Sequence, residues 1–112
     1  MLTHKVAVYV PSTVQGNIPA PVATVERWVK ESKTRLSRLF GGFTSYRAQG
    51  GWVSETQGLV EEDVTIVQAF TDESGLSHVP AVKALAQEIA RDMSQEAVSV
   101  EVDGTLYFVN SK

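Results

Sequence analysis

The stretch Phe40–Glu62, FGGFTSYRAQGGWVSETQGLVEE, gathers the side chains best suited to hold a small molecule. Thr44, Ser45, Tyr46 and Gln49 supply hydrogen-bond donors and acceptors, Arg47 a planar cationic fork, and Trp52 a stacking face. Five of the eight glycines also fall here, and Gly41, Gly42, Gly50 and Gly51 would let a ligand approach the backbone closely. An arginine, an aromatic face and bare amides suit a phosphate-bearing or planar ligand. The expected ligand-binding set is Thr44, Tyr46, Arg47, Gly50, Gly51, Trp52 and Glu62, with Glu62 orienting Arg47 or the Trp52 indole N–H. The alternative is purely architectural: Gly41-Gly42 end a helix, Gly50-Gly51 bend a hairpin, Trp52 is core and Glu62 faces water. Strand alternation sets a condition on the first reading. Positions 47 and 52 differ in parity, so a regular strand points them to opposite faces. They share a pocket only if Gly50-Gly51 form a bulge that shifts the register by one, and that bulge is expected.

Catalytic constellations are weaker. His4 and His78 are the only imidazoles, in His4-Lys5-Val6 and His78-Val79-Pro80; neither has the His-x-Ser/Thr pattern of two-histidine phosphoesterases. His78 lies near Asp72, Ser74 and Ser77, but adjacency in sequence does not make a triad. Glu61-Glu62-Asp63 offers oxygen ligands for a hard cation, and reads more simply as a charged strand entry. With no cysteine and two histidines, a zinc set is not expected. P-loop, G-x-G-x-x-G and H-E-x-x-H motifs are missing. No catalytic residue, metal or cofactor is assigned.

The elements that must position these residues follow from periodicity. Val6, Val8 and Val10 alternate with Ala7 and Tyr9, which predicts a strand over Lys5–Pro11. A loop rich in turn formers follows, placed to act as a flap. Pro21 suits the first turn of a helix, whose apolar stripe is Val22, Val25, Val29, Leu36 and Leu39, with Trp28 at its edge and Gly41 at a left-handed C-terminal cap. Strands over Phe43–Val53 and Leu59–Phe70 form a hairpin turning at Ser54–Gly58, because the linker is too short for a crossover. Thr71–His78 reads as a polar loop with Ser77 as an N-cap. A second helix carries Val82, Leu85, Ile89 and Met93; Val98, Val100 and Val102 form a strand, and Asp103-Gly104 predicts a type I′ turn into a short final strand.

The order β-α-β-β-α-β predicts a single α+β domain, 1–112, of ferredoxin-like split βαββαβ topology, with an antiparallel sheet, both helices on one face and a short C-terminal strand. Tyr9, Tyr46, Trp52, Val67 and Tyr107 are read as surplus to the helix-covered face, which predicts a homo-oligomer, in the first instance a two-fold dimer.

Composition narrows the class. The chain has 112 residues, 43% apolar and 21% charged, and a net charge of −3, which argues against general nucleic-acid binding; no direct DNA binding is expected. No apolar run is long enough for a membrane-crossing helix, no secretory leader is evident, and the cytoplasm is the default compartment. Residues 21–40 carry five bases against two acids, so one basic helix sits on an otherwise acidic chain. The pairs Glu26–Lys30 and Glu31–Arg35 are expected to tie part of that charge.

The spaced set F-G-G-x-T (Phe40, Gly41, Gly42, Thr44), G-G-W (Gly50, Gly51, Trp52) and G-L-V-x-E (Gly58, Leu59, Val60, Glu62), with the opening V-Y-V-P-S-T, resembles small α+β proteins of bacteria, archaea and their phages that have no established activity. The resemblance covers roughly residues 8–70. It implies a ferredoxin-like fold and a prophage or mobile-element origin, and by analogy an anti-defence role through sequestering a nucleotide signal. The leading expectation is a non-enzymatic binder of a phosphate-bearing, nucleotide-like molecule. A protein–protein inhibitor using the basic helix, and a dimeric α/β-barrel enzyme using Glu62, His78 or Tyr46, are the alternatives.

Overall fold

The computed structural model describes residues 1–112. The elements in chain order are β1 (His4–Pro11), β2 (Thr13–Val14), β3 (Ile18–Pro19), α1 (Val22–Phe40), β4 (Thr44–Ser54), β5 (Gly58–Thr71), a 3₁₀ helix (Glu73–His78), α2 (Val79–Asp92), β6 (Ala97–Val102) and β7 (Thr105–Asn110). One five-stranded sheet has the order β4-β5-β1-β6-β7, every neighbour antiparallel, and β2-β3 form a separate two-stranded ribbon. This is the split βαββαβ arrangement with one added edge strand.

Both helices lie on one face. Leu36 of α1 and Val82, Leu85, Ile89 and Met93 at α2 share one core cluster with Val6, Val8 and Val10. Leu36, Leu85, Ile89 and Met93 are fully buried, and each such side chain contributes about 1.5–3 kcal/mol of hydrophobic stabilisation. The stripe of α1 holds except at its start, since Val22 is 72% exposed on the first turn, beyond the end of the sheet contact. The helices are also joined at their polar edge. Trp28 Nε1 donates to Asp92 at 2.7 Å, Arg27 pairs with the same carboxylate, and Arg35 bridges Glu31 and Glu88.

The turns obey local chemistry. Gly41 has φ +91° and its N–H donates to Ser37 O, closing α1 in the left-handed cap. Asp103 and Gly104 have φ +51° and +84° between paired Val102 and Thr105, as a type I′ turn requires. The β4–β5 hairpin pairs Ser54 with Gly58 around Glu55-Thr56-Gln57. β5 is 14 residues long, roughly 46 Å at ~3.3 Å per residue, and the molecule measures 46 × 26 × 26 Å. The outer half of the hairpin therefore runs beyond the helices as an arm.

Three local expectations are corrected. The Thr71–His78 segment is a 3₁₀ helix rather than a loop, capped by Asp72, whose carboxylate accepts from Gly75 N–H and Ser74 Oγ. Ser77 does not cap α2; its hydroxyl donates to Ser74 O. Val67 and Tyr107 do not belong to the helix-free face either. Val67 lies opposite Val8 and is buried under the helices, and Tyr107 lies opposite Val100 with Lys83 Nζ 4.1 Å from its ring centroid. The β-branched run Val64-Thr65-Ile66-Val67 does not show its parity by itself, and only pairing with β1 fixes it.

Candidate functional site

The register of β4 against β5 is unbroken from Thr44↔Gln68 to Ser54↔Gly58, passing through Gly50↔Glu62 and Gly51↔Glu61. The expected bulge is not there. Arg47 and Trp52 point to opposite faces, and the candidate residues divide between two places. Each glycine is accommodated within a regular ladder, so nothing forces an extra residue into one strand.

Gly50, Gly51, Trp52 and Glu62 meet in a trough of about 360 Å³ on the helix-free face, together with Tyr9, Gln95 and Phe108. Trp52 stands on the β4 edge and Phe108 on the β7 edge, so aromatic rings wall both sides, with Tyr9 of the central strand between them. Gly50 lies directly opposite Glu62, and a Cβ added at Gly50 would meet nothing within 4 Å. That missing side chain keeps the trough open beside the carboxylate. Gly51 is different: a Cβ there would come within 2.5 Å of Val60 O, so its small size serves packing.

The Glu62 carboxylate is oriented by groups remote in sequence. Thr13 Oγ1 lies 2.8 Å from Glu62 Oε2 and donates to it, while Gln95 Nε2 donates to Thr13 O at 2.7 Å and to Thr13 Oγ1 at 2.9 Å. This relay corrects the expectation that Glu62 orients Arg47 or the Trp52 N–H. The β2-β3 ribbon that was expected as a flap is tied down by the same contacts and by Gln15 N–H donating to Met93 O. Ser12 Oγ also donates to Asp63 O.

Tyr9 is the second titratable residue of the trough. Its hydroxyl donates to Glu101 Oε1 at 3.0 Å, and Glu101 also pairs with Lys5 Nζ at 3.0 Å. Burial first, and then the donated hydrogen bond to Glu101, push the phenol up to about 12, so it stays protonated near neutrality. Lys5 holds Glu101 below the usual carboxylate range. Glu62 is the one charged residue lining the trough, and no cation lines it. Two aromatic walls and a fixed carboxylate suit a planar ring attached to a positive charge. A phosphate would meet repulsion there.

Arg47 lies elsewhere, on the helix side of β4, in a groove against α1 that also takes in Lys30 and Lys33. Tyr46 borders that groove, but at Trp52's parity its ring points to the helix-free face, in register with Ile66 and Tyr9. Thr44 lines neither; it borders a shallow cleft with Gly42, Phe43 and Phe70. Tyr46 and Trp52 lie six positions apart along the helix-free face, roughly 20 Å at ~3.3 Å per residue. His78 packs edge-on against Phe40, with ring centroids 6.0 Å apart. Glu61 and Asp63 face the helix side and Glu62 the other, so the three acids do not converge.

Thr13, Gln95 and Phe108 were not among the expected site residues, and Tyr9 was expected only on the face. Alternation within β1 put Tyr9 on the correct side. Nothing local marks Thr13 and Gln95, which are 82 positions apart and meet only through the packing of the β2-β3 ribbon on the end of α2.

No protein-family model matches the sequence, and comparison with curated proteins gives no match. Among solved structures, the chain is similar to a phage SAM lyase in complex with S-methyl-5′-thioadenosine, with a TM-score of 0.64, 18% identity, and coverage of 96% of this chain and 88% of that one. It is also similar to a phage SAM lyase in the apo state, with a TM-score of 0.58, 20% identity, and coverage of 99% and 91%. At these identities the likeness shows a shared fold across nearly the whole chain.

Proposed function

We propose that the chain binds S-adenosylmethionine in the trough of the helix-free face and cleaves it. The observation that carries this reading is the trough itself: Trp52, Tyr9 and Phe108 around the fixed Glu62 carboxylate, with no cation among the lining residues. An adenine ring stacks on an aromatic wall, and a sulfonium is attracted by both the ring faces and the carboxylate. The shared fold with two phage SAM lyases supports the same ligand class and a phage origin. The phosphate-bearing ligand expected from Arg47 does not fit this trough.

S-adenosylmethionine becomes S-methyl-5′-thioadenosine when sulfur loses its bond to the amino-acid carbon chain. Sulfur keeps the electron pair and becomes a neutral thioether. A lyase adds no water, so the carbon left behind takes its new bond from its own carboxylate, closing a lactone with no net proton transfer. Charge disperses as the bond breaks, so walls that strip water from the sulfonium favour the transition state over the bound cation. Trp52, Tyr9 and Phe108 would supply those walls, and Glu62 would place the cation.

The second reading is sequestration without turnover, and one observation favours it: the titratable side chains of the trough are only Glu62 and Tyr9, and Tyr9 holds its proton. Either reading deprives a host of its methyl donor, which is the anti-defence role proposed here. Self-association belongs to the same reading. Phe108 is 72% and Trp52 48% exposed in the single chain, and a second copy seated on this face would close the trough over a ligand.

Incubation with S-adenosylmethionine, followed by chromatography, tests this. The expected result is S-methyl-5′-thioadenosine, formed at least about tenfold more slowly by Glu62→Gln, as for loss of a charge-assisted contact. Saturable binding with no product would move sequestration ahead. Neither binding nor product would remove both readings.

A further inference from the structure

We infer that the chain has a second ligand site, an anion-binding groove between α1 and β4 that takes a compact phosphate-bearing molecule. Lys30 and Lys33 are one helical turn apart on α1, and Arg47 on β4 faces the same groove, whose volume is about 630 Å³. The chain has five ion pairs, and its bases in them are His4, Lys5, Arg27 and Arg35; Lys30, Lys33 and Arg47 are in none. Elsewhere on α1, Arg27 reaches Asp92 and Arg35 reaches Glu31 and Glu88, while Arg38 on the last turn is in no ion pair and lies outside the groove. Glu26 is the one acid lining the groove, and the Glu26–Lys30 pair anticipated from spacing does not form.

Three bases against one acid give the groove a positive balance on a molecule of net charge −3. The groove exists because α1 packs over β5 and β1, leaving the outermost strand β4 uncovered. Ser45 and Thr65 line it with hydroxyls able to donate, and Val25 and Val29 form an apolar side. Lys33 Nζ lies 5.4 Å from the Phe43 ring centroid, a contact that steadies the ammonium while leaving its hydrogens free to donate. One guanidinium fork, two ammonium groups and two hydroxyls match the several acceptor oxygens of a phosphate or pyrophosphate group. The site lies on the opposite sheet face from the trough and shares none of its lining residues.

Calorimetric titration with inorganic pyrophosphate at low ionic strength tests the groove. The expected result is saturable binding of one pyrophosphate per chain, about tenfold or more weaker in Arg47→Ala and weaker again in the Lys33→Ala/Arg47→Ala double variant. Glu26→Gln removes the one acid and should tighten binding several-fold, a gain that misfolding cannot mimic. Trp52→Ala should leave pyrophosphate binding unchanged, which separates this site from the trough. Parallel titrations with adenosine and ATP distinguish the source of the phosphate: ATP binding that is lost in Arg47→Ala, with no binding of adenosine here, indicates a nucleotide. Absence of pyrophosphate binding at millimolar concentration, wild-type affinity in Arg47→Ala, or loss of binding in Trp52→Ala would each overturn the inference.

Discussion

Neighbouring glycines in β4 do unlike work, and substitution separates them. A side chain at Gly50 enters open space beside Glu62, whereas one at Gly51 meets the Val60 carbonyl at 2.5 Å. Gly50→Leu should keep its urea midpoint near wild type yet abolish S-adenosylmethionine binding, because it fills the trough. Gly51→Ala should lose about 1–3 kcal/mol by displacing the paired strand. The Lys5–Glu101–Tyr9 network predicts how stability follows pH. Glu101 is depressed in the folded chain, chiefly by the Lys5 hydrogen bond. Its contribution is whole above the ordinary glutamate value, about 4.3, and is lost as pH falls through the lower folded value. Tyr9 runs the other way: raised from 10.0 to about 12, it contributes fully below pH 10.0 and loses that contribution as pH rises towards 12. Thermal melts across pH should show both limbs. Glu101→Gln should shallow the acid one and Tyr9→Phe the alkaline one; unchanged limbs would count against the network.

At the scale of the element, α1 carries two features with opposite consequences. Gly41 is held at φ +91° with free space around its Cβ position, so Gly41→Ala costs backbone strain alone, about 1 kcal/mol. Ser32 is fully buried on the core side of the same helix, and its hydroxyl has no hydrogen-bond partner. Removing an unsatisfied buried hydroxyl and gaining helix propensity should make Ser32→Ala more stable by about 1 kcal/mol. Chemical denaturation of the pair should move the midpoint in opposite directions. A destabilised Ser32→Ala would show that the hydroxyl is satisfied in solution. Leu36→Ala, at a fully buried position five residues before the Gly41 cap, should lose about 2–5 kcal/mol.

For the whole molecule, the helix-free face matters most. Tyr46, Trp52, Phe70, Leu106 and Phe108 are all at least two-fifths exposed there, which is more large apolar surface than an isolated sheet face normally leaves to water. Self-association through this face is expected, with light scattering at micromolar concentration giving a mass above 12.2 kDa. Phe108→Glu should shift that mass to the single chain and weaken the trough together with it. A monomeric wild type would detach the trough from any second copy.

The sequence by itself determined the split βαββαβ order, the two helix stripes and the turns at Gly41, Asp103-Gly104 and Ser54–Gly58. Each rests on interactions between residues a few positions apart, where periodicity and turn chemistry act directly. The 3₁₀ helix after Thr71 escaped because its cap, Asp72, begins a segment whose polar residues also suit a loop. The candidate residues were found in the correct hairpin, but their grouping was not legible. Whether Arg47 joins Trp52 depends on one residue of register, and both a regular ladder and a bulge suit Gly50-Gly51 locally. Pairing of all eleven β4 residues with β5 decided for the ladder, sending Arg47 to the basic groove and Trp52 to the trough. The Gln95–Thr13–Glu62 relay and the opposing Phe108 wall come from strands, a ribbon and the α2–β6 connection, far apart in the chain. Such contacts leave no local signature, so only the tertiary structure could bring them together.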